Sequence, residues 1–368
     1  MRLKVMAENL IERLVLKLNQ VPEPLLETQM AFNMARSIMV GVKLGVFEAA
    51  ADGARSADTI ANRCGTNPKA TVKLLDTLTS CGYFRFRRGA YALTGKSSKW
   101  LLRRSPFNLC DKLLFQFHEW DMVGGYERYL VTGASQNPHA SIADVSYWQH
   151  YQRGMRNLAG LWASDVTARF PMPAGARTLL DIGGSHGYYS VSLCRRYPAL
   201  QSIVLDLPDA VREAAAILAS ENMGSRVIHQ AGDVLTDELG EGSFDAVFIS
   251  QLVHHFTEDQ NRGLMQKIAR ALRPHGVCVI LDTVGAEQPG AGGQTGALLD
   301  LYFAMLSEAG TWPTSSIQAW FEAADLVCLA PVRFRNMPGG AMVAARKPGP
   351  SGAARAWWRA SSPTPPWR

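Results

Sequence analysis

The chain contains no apolar run of bilayer-spanning length, and its first residues carry charges with no apolar signal core or small-residue cleavage site. A cytoplasmic protein is therefore expected. Cysteine is sparse: Cys64, Cys81, Cys110, Cys194, Cys278 and Cys328 show no C-x-x-C pair and no regular spacing, so no disulfide framework and no metal site are expected. A dinucleotide fingerprint, G-x-G-x-x-G, is also missing where one would be sought, because Ser185 and His186 stand at positions that the pattern reserves for glycine or its spacing. This disfavours nicotinamide cofactors. The net charge of +6 is concentrated in a tail with no acid from Arg346 onward, so it does not by itself argue for a nucleic-acid surface. With 47% hydrophobic and only 19% charged residues over 368 positions, the chain is long and apolar enough for two folded domains.

What is present begins with Leu179-Leu180-Asp181-Ile182-Gly183-Gly184-Ser185-His186-Gly187, an apolar run that breaks into an acid and clustered glycines. Such a run marks the first strand and loop of a doubly wound α/β domain, where Gly183, Gly184 and Gly187 allow backbone to approach a ligand. Ile203 to Asp206 is a second run ending in an acid, placed to accept ribose hydroxyls, and Val227 to Asp233 is a third, placed to accept from an adenine amino group. Three acids in this order, Asp181, Asp206 and Asp233, fit S-adenosylmethionine. Taken singly, each could equally be a loop or cap acid.

Phe244 to Ser250 reads as a buried strand, and Thr257-Glu258-Asp259-Gln260 as a capping box opening a helix to Leu272. The intervening loop therefore lies at the carboxyl edge of the sheet, which makes His254 the candidate general base. An imidazole ordinarily titrates near ~6.5 and can take a phenolic proton at cellular pH. Its neighbour His255 is read as structural.

Four blocks are expected along the chain. Residues 1–105 combine an amphipathic arm over 3–18, suited to packing on a partner subunit, with three helices and a hairpin turning at Arg88-Gly89, a winged-helix pattern. The third helix, from Asn67, offers Lys69 and Lys73 but few other groups able to read bases, so dimerisation is preferred to DNA binding. Residues 106–172 form a helical, aromatic connector, and residues 173–347 the nucleoside-binding domain with a mixed sheet and one antiparallel edge. Residues 348–368 are a disordered tail. Trp148, Tyr151 and Met155 share a helical face that core packing explains as well as a ligand pocket does. Trp148, Gln152, Met155, Leu299, Phe303 and Asn336 are the candidate substrate contacts, with Leu298, Tyr302 and Met305 from the same later helix as Leu299.

From about Met30 to Lys347 the chain resembles the two-domain, class I S-adenosylmethionine-dependent O-methyltransferases that act on small molecules, a group with plant caffeate-type and bacterial polyketide-tailoring members. The resemblance rests on Asp181 to Gly187, Asp206-Leu207-Pro208, Gly232-Asp233 and His254-His255-Phe256, the last standing where the family usually has His-Asp-Trp. It implies a homodimer joined through the N-terminal domain, His254 as base, and cofactor contacts from Leu207, Val234 and Ser250. It also exposes departures. The family's glutamates fall near Thr311 and at Ala341, leaving His254 without its orienting carboxylate unless another group supplies one. The expected activity is methyl transfer to a hydroxyl of a small aromatic or polyketide-like metabolite. Two alternatives stay open: a winged-helix regulator that responds to a ligand, and a cofactor-binding relative with altered or lost transfer.

Overall fold

The computed structural model describes residues 4–136, 145–307 and 309–349, so all but the first two residues of the tail read as disordered lie outside the described residues. The chain divides into two units, Met1–Gly125 with Ile142–Leu161, and Tyr126–Ser141 with Trp162–Arg368.

In the first unit, the arm forms a helix only over Leu10–Lys17, because Asn9 caps it by accepting from the Glu12 N–H; none of its residues is buried. The stripe predicted from residue 3 is thus shorter, and Met6, Leu10 and Leu14 stay exposed. Helices Ala31–Lys43, Ala57–Cys64 and Pro68–Ser80 follow, the last capped by Asn67 with proline at its first position. The hairpin pairs β1 (Phe84–Arg87) with β2 (Ala90–Leu93) through Arg88 and Gly89, both at positive φ. Phe47, Ile60, Leu75, Leu78 and Phe84 form the core, and the Tyr91 hydroxyl donates to Asp76 at 2.7 Å, tying hairpin to helix.

The second unit is built on a mixed sheet. Strands β3 (Thr178–Ile182), β4 (Gln201–Asp206), β5 (Val227–Ala231), β6 (Phe244–Ser250) and β7 (Leu272–Thr283) run parallel, and β10 (Gly340–Arg346) joins β7 antiparallel. Two short strands, β8 (Val327–Cys328) and β9 (Val332–Arg333), pair with β10 as the expected terminal hairpin. The spatial order is β5-β4-β3-β6-β7-β10-β8. The chain therefore leaves β3 toward β4 on one side and returns to β6 on the other. A crevice opens beyond the carboxyl ends at such a reversal, and open α/β sheets bind ligands there. Beneath it lie Ile182, Val247, Ile249, Met265, Ile280 and Trp320, all buried.

Candidate active site

The loop after β3 is shaped by contacts that leave no room for side chains. A Cβ on Gly183, which sits at φ +63°, would meet a Leu252 methyl at 2.8 Å, and one on Gly184 would meet Asp181 Cγ at 2.6 Å. Gly187, at φ 69°, caps the helix Tyr188–Arg196. Ser185 also adopts a positive φ of 52°, and its N–H donates to Asp206 Oδ2 at 2.7 Å, while its carbonyl accepts from His229 Nε2 at 2.9 Å. The loop is thereby fastened across the ends of β4 and β5.

Asp181, Asp206 and Asp233 are not equivalent. Asp181 lies beneath the loop, 1% exposed, where Ser190 Oγ donates to its Oδ2 at 2.7 Å and its Oδ1 has no partner. Burial pushes its carboxyl up to about 7, Ser190 opposes the rise, and the Asp206 charge adds to it. Asp206 ends β4 and takes the Leu207 N–H on Oδ1 at 2.8 Å as well as Ser185 on Oδ2. Each carboxylate oxygen accepts more than one bond, so acceptor capacity remains for a ligand's hydroxyls. Asp233 lies two residues beyond the end of β5, which stops short of the run expected to reach it, and its Oδ1 accepts from the Leu235 N–H. Gly232 packs against Asp237 and Leu205, its N–H donating to the Asp206 carbonyl. Val234 is buried in the core, Leu207 is exposed, and Ser250 shares a side-chain hydrogen bond with buried Tyr189.

His254 stands in a single turn, Val253–His255, after β6, only 2% exposed. Its Nδ1 is 2.7 Å from Asp282 Oδ1, and both side chains are buried. Asp282 also accepts from the Thr283 N–H at 2.7 Å, while Oδ2 has no partner. An ionised carboxylate only accepts, so Nδ1 donates and the lone pair of the neutral ring resides on Nε2. No hydrogen bond reaches Nε2 among the described residues. Phe303 covers one part of the ring, centroids 3.9 Å apart, and His255 lies 4.3 Å away.

Asp282 is thus the other group left open for orienting His254 once the family's glutamate positions are vacant of acids. Thr311 is engaged with Asp300, and Ala341 is fully buried directly opposite Asp282 in the β7–β10 register, so the acid comes from the neighbouring strand. Phe303 does lie at the candidate base, on the helix Gly293–Leu306 with half-buried Leu299. Asn336 is exposed and donates to Asp165 at 2.7 Å. Trp148 and Gln152 are buried in the first unit, where Trp148 packs edge-on against Tyr147 and Tyr151; Met155 is half-buried. Sequence reasoning did not single out Asp282, Tyr189 or the groups that hold the His254 turn.

Comparison with known proteins gives two family matches, an O-methyltransferase domain over residues 126–321 and an O-methyltransferase dimerisation domain over residues 26–104. The chain is 26% identical to the 3-hydroxy-5-methyl-1-naphthoate 3-O-methyltransferase of Streptomyces sahachiroi, covering 88% of this chain and 95% of that relative. It is 24% identical to the mitomycin biosynthesis 6-O-methyltransferase of Streptomyces lavendulae, over 70% of this chain and 76% of that one. Among solved structures, human N-acetylserotonin methyltransferase in complex with S-adenosylmethionine is similar in fold, with a TM-score of 0.77 at 18% identity, covering 94% of this chain and 99% of that one.

Proposed function

The chain belongs to the S-adenosylmethionine-dependent O-methyltransferases that carry a dimerisation domain, and from that premise we propose that it methylates a hydroxyl of a small aromatic or polyketide-like metabolite with His254 as general base. The observation that carries this reading is the buried 2.7 Å bond from His254 Nδ1 to Asp282 beside the glycine loop. The relatives named for a naphthoate and for mitomycin biosynthesis support a small aromatic or polyketide-like acceptor.

The residues fit the cofactor. Gly183 and Gly184 after β3 and Gly232 after β5 leave no space for a Cβ and bring backbone to the crevice, and the Asp206 carboxylate keeps acceptor capacity for ribose hydroxyls. Asp233, Leu207, Val234 and Ser250 complete the proposed set, with Asp181 supporting the loop from below. When bound, S-adenosylmethionine supplies an electrophilic methyl carbon on a sulfonium. The protein's part is alignment and proton removal. His254 Nε2 takes the acceptor's hydroxyl proton, and Asp282 stabilises the imidazolium. Asp282 also fixes the ring's tautomer. With Phe303 covering part of the imidazole, the acceptor reaches it along the Nε2 edge.

The exposed Met6, Leu10 and Leu14 surface and the dimerisation match over residues 26–104 support a homodimer. Six free cysteines suit a reducing cytoplasm. The test pairs calorimetric titration with S-adenosylhomocysteine and a methyl-transfer assay on hydroxynaphthoates and other phenols. Asp206→Ala is expected to weaken binding about 10- to 100-fold, from the loss of charge-assisted hydrogen bonds. His254→Ala is expected to bind normally and lose about 10²–10⁴-fold in turnover. Equal loss of binding in both variants, or full turnover in His254→Ala, overturns the assignment.

A further inference from the structure

The turn Val253–His255 has no strand ladder or long helix to satisfy its backbone, yet Val253 and His254 are buried. Buried carbonyls need partners, and beyond the Phe256 N–H, which donates to the Val253 carbonyl at 3.3 Å, here they come from side chains. The Val253 carbonyl accepts from Trp312 Nε1 at 3.1 Å and from Asn261 Nδ2 at 3.0 Å. The His254 carbonyl lies 2.8 Å from Ser307 Oγ, whose one proton is shared with the Phe303 carbonyl at 2.7 Å, and Asn261 Nδ2 also donates to the Phe256 carbonyl at 3.1 Å.

Trp312 differs from the other two because its backbone holds the opposite side of the pair. The Gly285 N–H donates to the Trp312 carbonyl at 2.9 Å, and Gly285 bridges to Pro313 in parallel fashion. The approach is close, since a Cβ on Gly285 would meet the Thr311 carbonyl oxygen at 2.9 Å. Gly285 lies three residues beyond Asp282 on the chain leaving β7. One residue thus grips the turn that carries the imidazole with its indole and the exit of the strand that carries the carboxylate with its carbonyl. The indole is itself anchored edge-on against fully buried Trp320, centroids 5.2 Å apart.

We propose that Trp312 is a positioning residue for methyl transfer, setting the His254–Asp282 separation from both sides, with Ser307 holding the His254 carbonyl as its second point. This rests on His254 being the base. The resemblance places a family glutamate beside this segment, and here an indole N–H on the backbone of the base turn stands in that region instead. A displacement of about 1 Å at a reacting group can cost about 10²-fold in rate, so a clamp of this kind acts on turnover rather than on cofactor affinity.

The experiment uses two matched substitutions, Trp312→Phe and Trp320→Phe. Both trim an indole to a phenyl in the same core, but Trp320 Nε1 has no hydrogen-bond partner, so only the first removes a bond. Trp312→Phe is expected to lower kcat about 10- to 100-fold, with KM for the acceptor and Kd for S-adenosylhomocysteine within about threefold. It is also expected to shift or broaden the imidazole N–H proton resonance that His254→Ala abolishes. Trp320→Phe is expected to keep both the turnover and the resonance. In an Asp282→Ala background, Trp312→Phe should cost little more, because both act through one ring. Equal turnover in the two Trp variants, or an unmoved resonance, overturns the proposal. Should Trp312→Phe lose cofactor binding, Ser307→Ala decides: it removes one hydroxyl and no ring, and unchanged kcat overturns the proposal. Full turnover in His254→Ala would instead refute the base assignment itself.

Discussion

Asp181 gives the sharpest stability prediction, because a carboxyl at about 7 in the folded protein must move the stability with pH. Its ordinary value is near ~3.9 once the chain unfolds, so between these values the folded state holds a proton that the unfolded state has released. The contribution is present in full below about pH 4 and is lost as pH rises to about 7, at about 1.4 kcal/mol for each pH unit, or about 4 kcal/mol in all. Asp181→Asn removes the titration while keeping an acceptor for Ser190 Oγ. Its amide nitrogen would enter the place of Oδ1, which has no partner, at a pH-independent cost of about 1–3 kcal/mol. In urea unfolding of both proteins, the variant should gain about 3 kcal/mol on the parent between pH 5 and pH 8. A constant difference between pH 5 and 8 would refute the reasoning, showing that burial does not hold Asp181 protonated.

Two glycines should respond in opposite directions. At Gly184 an added methyl would press on Asp181 Cγ at 2.6 Å and Val204 Cγ1 at 2.7 Å, so Gly184→Ala should lose about 1–3 kcal/mol by overpacking and weaken S-adenosylhomocysteine binding, read by thermal unfolding and calorimetry. Gly263, inside the helix Glu258–Ala271, has nothing within 4 Å of the place an added methyl would take, so Gly263→Ala should gain about 0.5–1 kcal/mol without changing that affinity.

The elements that were plain in the sequence are those whose local and tertiary signals agree. Strand β6 matches its apolar run residue for residue, and the capping box at Thr257 and Gln260 forms with both of its bonds. The hairpin turns where Arg88-Gly89 predicts, with both residues at positive φ. At the arm, periodicity overran the helix. The stripe reaches back to Met6, yet the Asn9 side chain satisfies the Glu12 N–H and starts the helix at Leu10. At β5 the strand stops at Ala231, since the Gly232 N–H turns to the Asp206 carbonyl and Asp233 accepts from Leu235.

The carboxylate beside His254 shows why a site is harder to read than a strand. Val277-Cys278-Val279-Ile280-Leu281-Asp282 is an apolar run ending in an acid, the same form that drew attention to Asp181 and Asp206. Nothing in that run says which strand lies next to it. The pairing of Ser250 with Leu281 in the parallel β6–β7 register supplies the missing fact: one step beyond it, Asp282 stands beside the turn that β6 leads into. The two positions compared with family glutamates, Thr311 and Ala341, are both near this acid in the fold, Ala341 across the antiparallel register and Thr311 on the segment gripping Gly285. A carboxylate can therefore change strands and still meet the imidazole, because what the ring requires is an acceptor at hydrogen-bond distance from Nδ1 rather than an acid at a fixed place in the sequence. Strand order and register convert scattered acids into a pair with chemistry, and these are properties of the sheet, carried by contacts far apart along the chain.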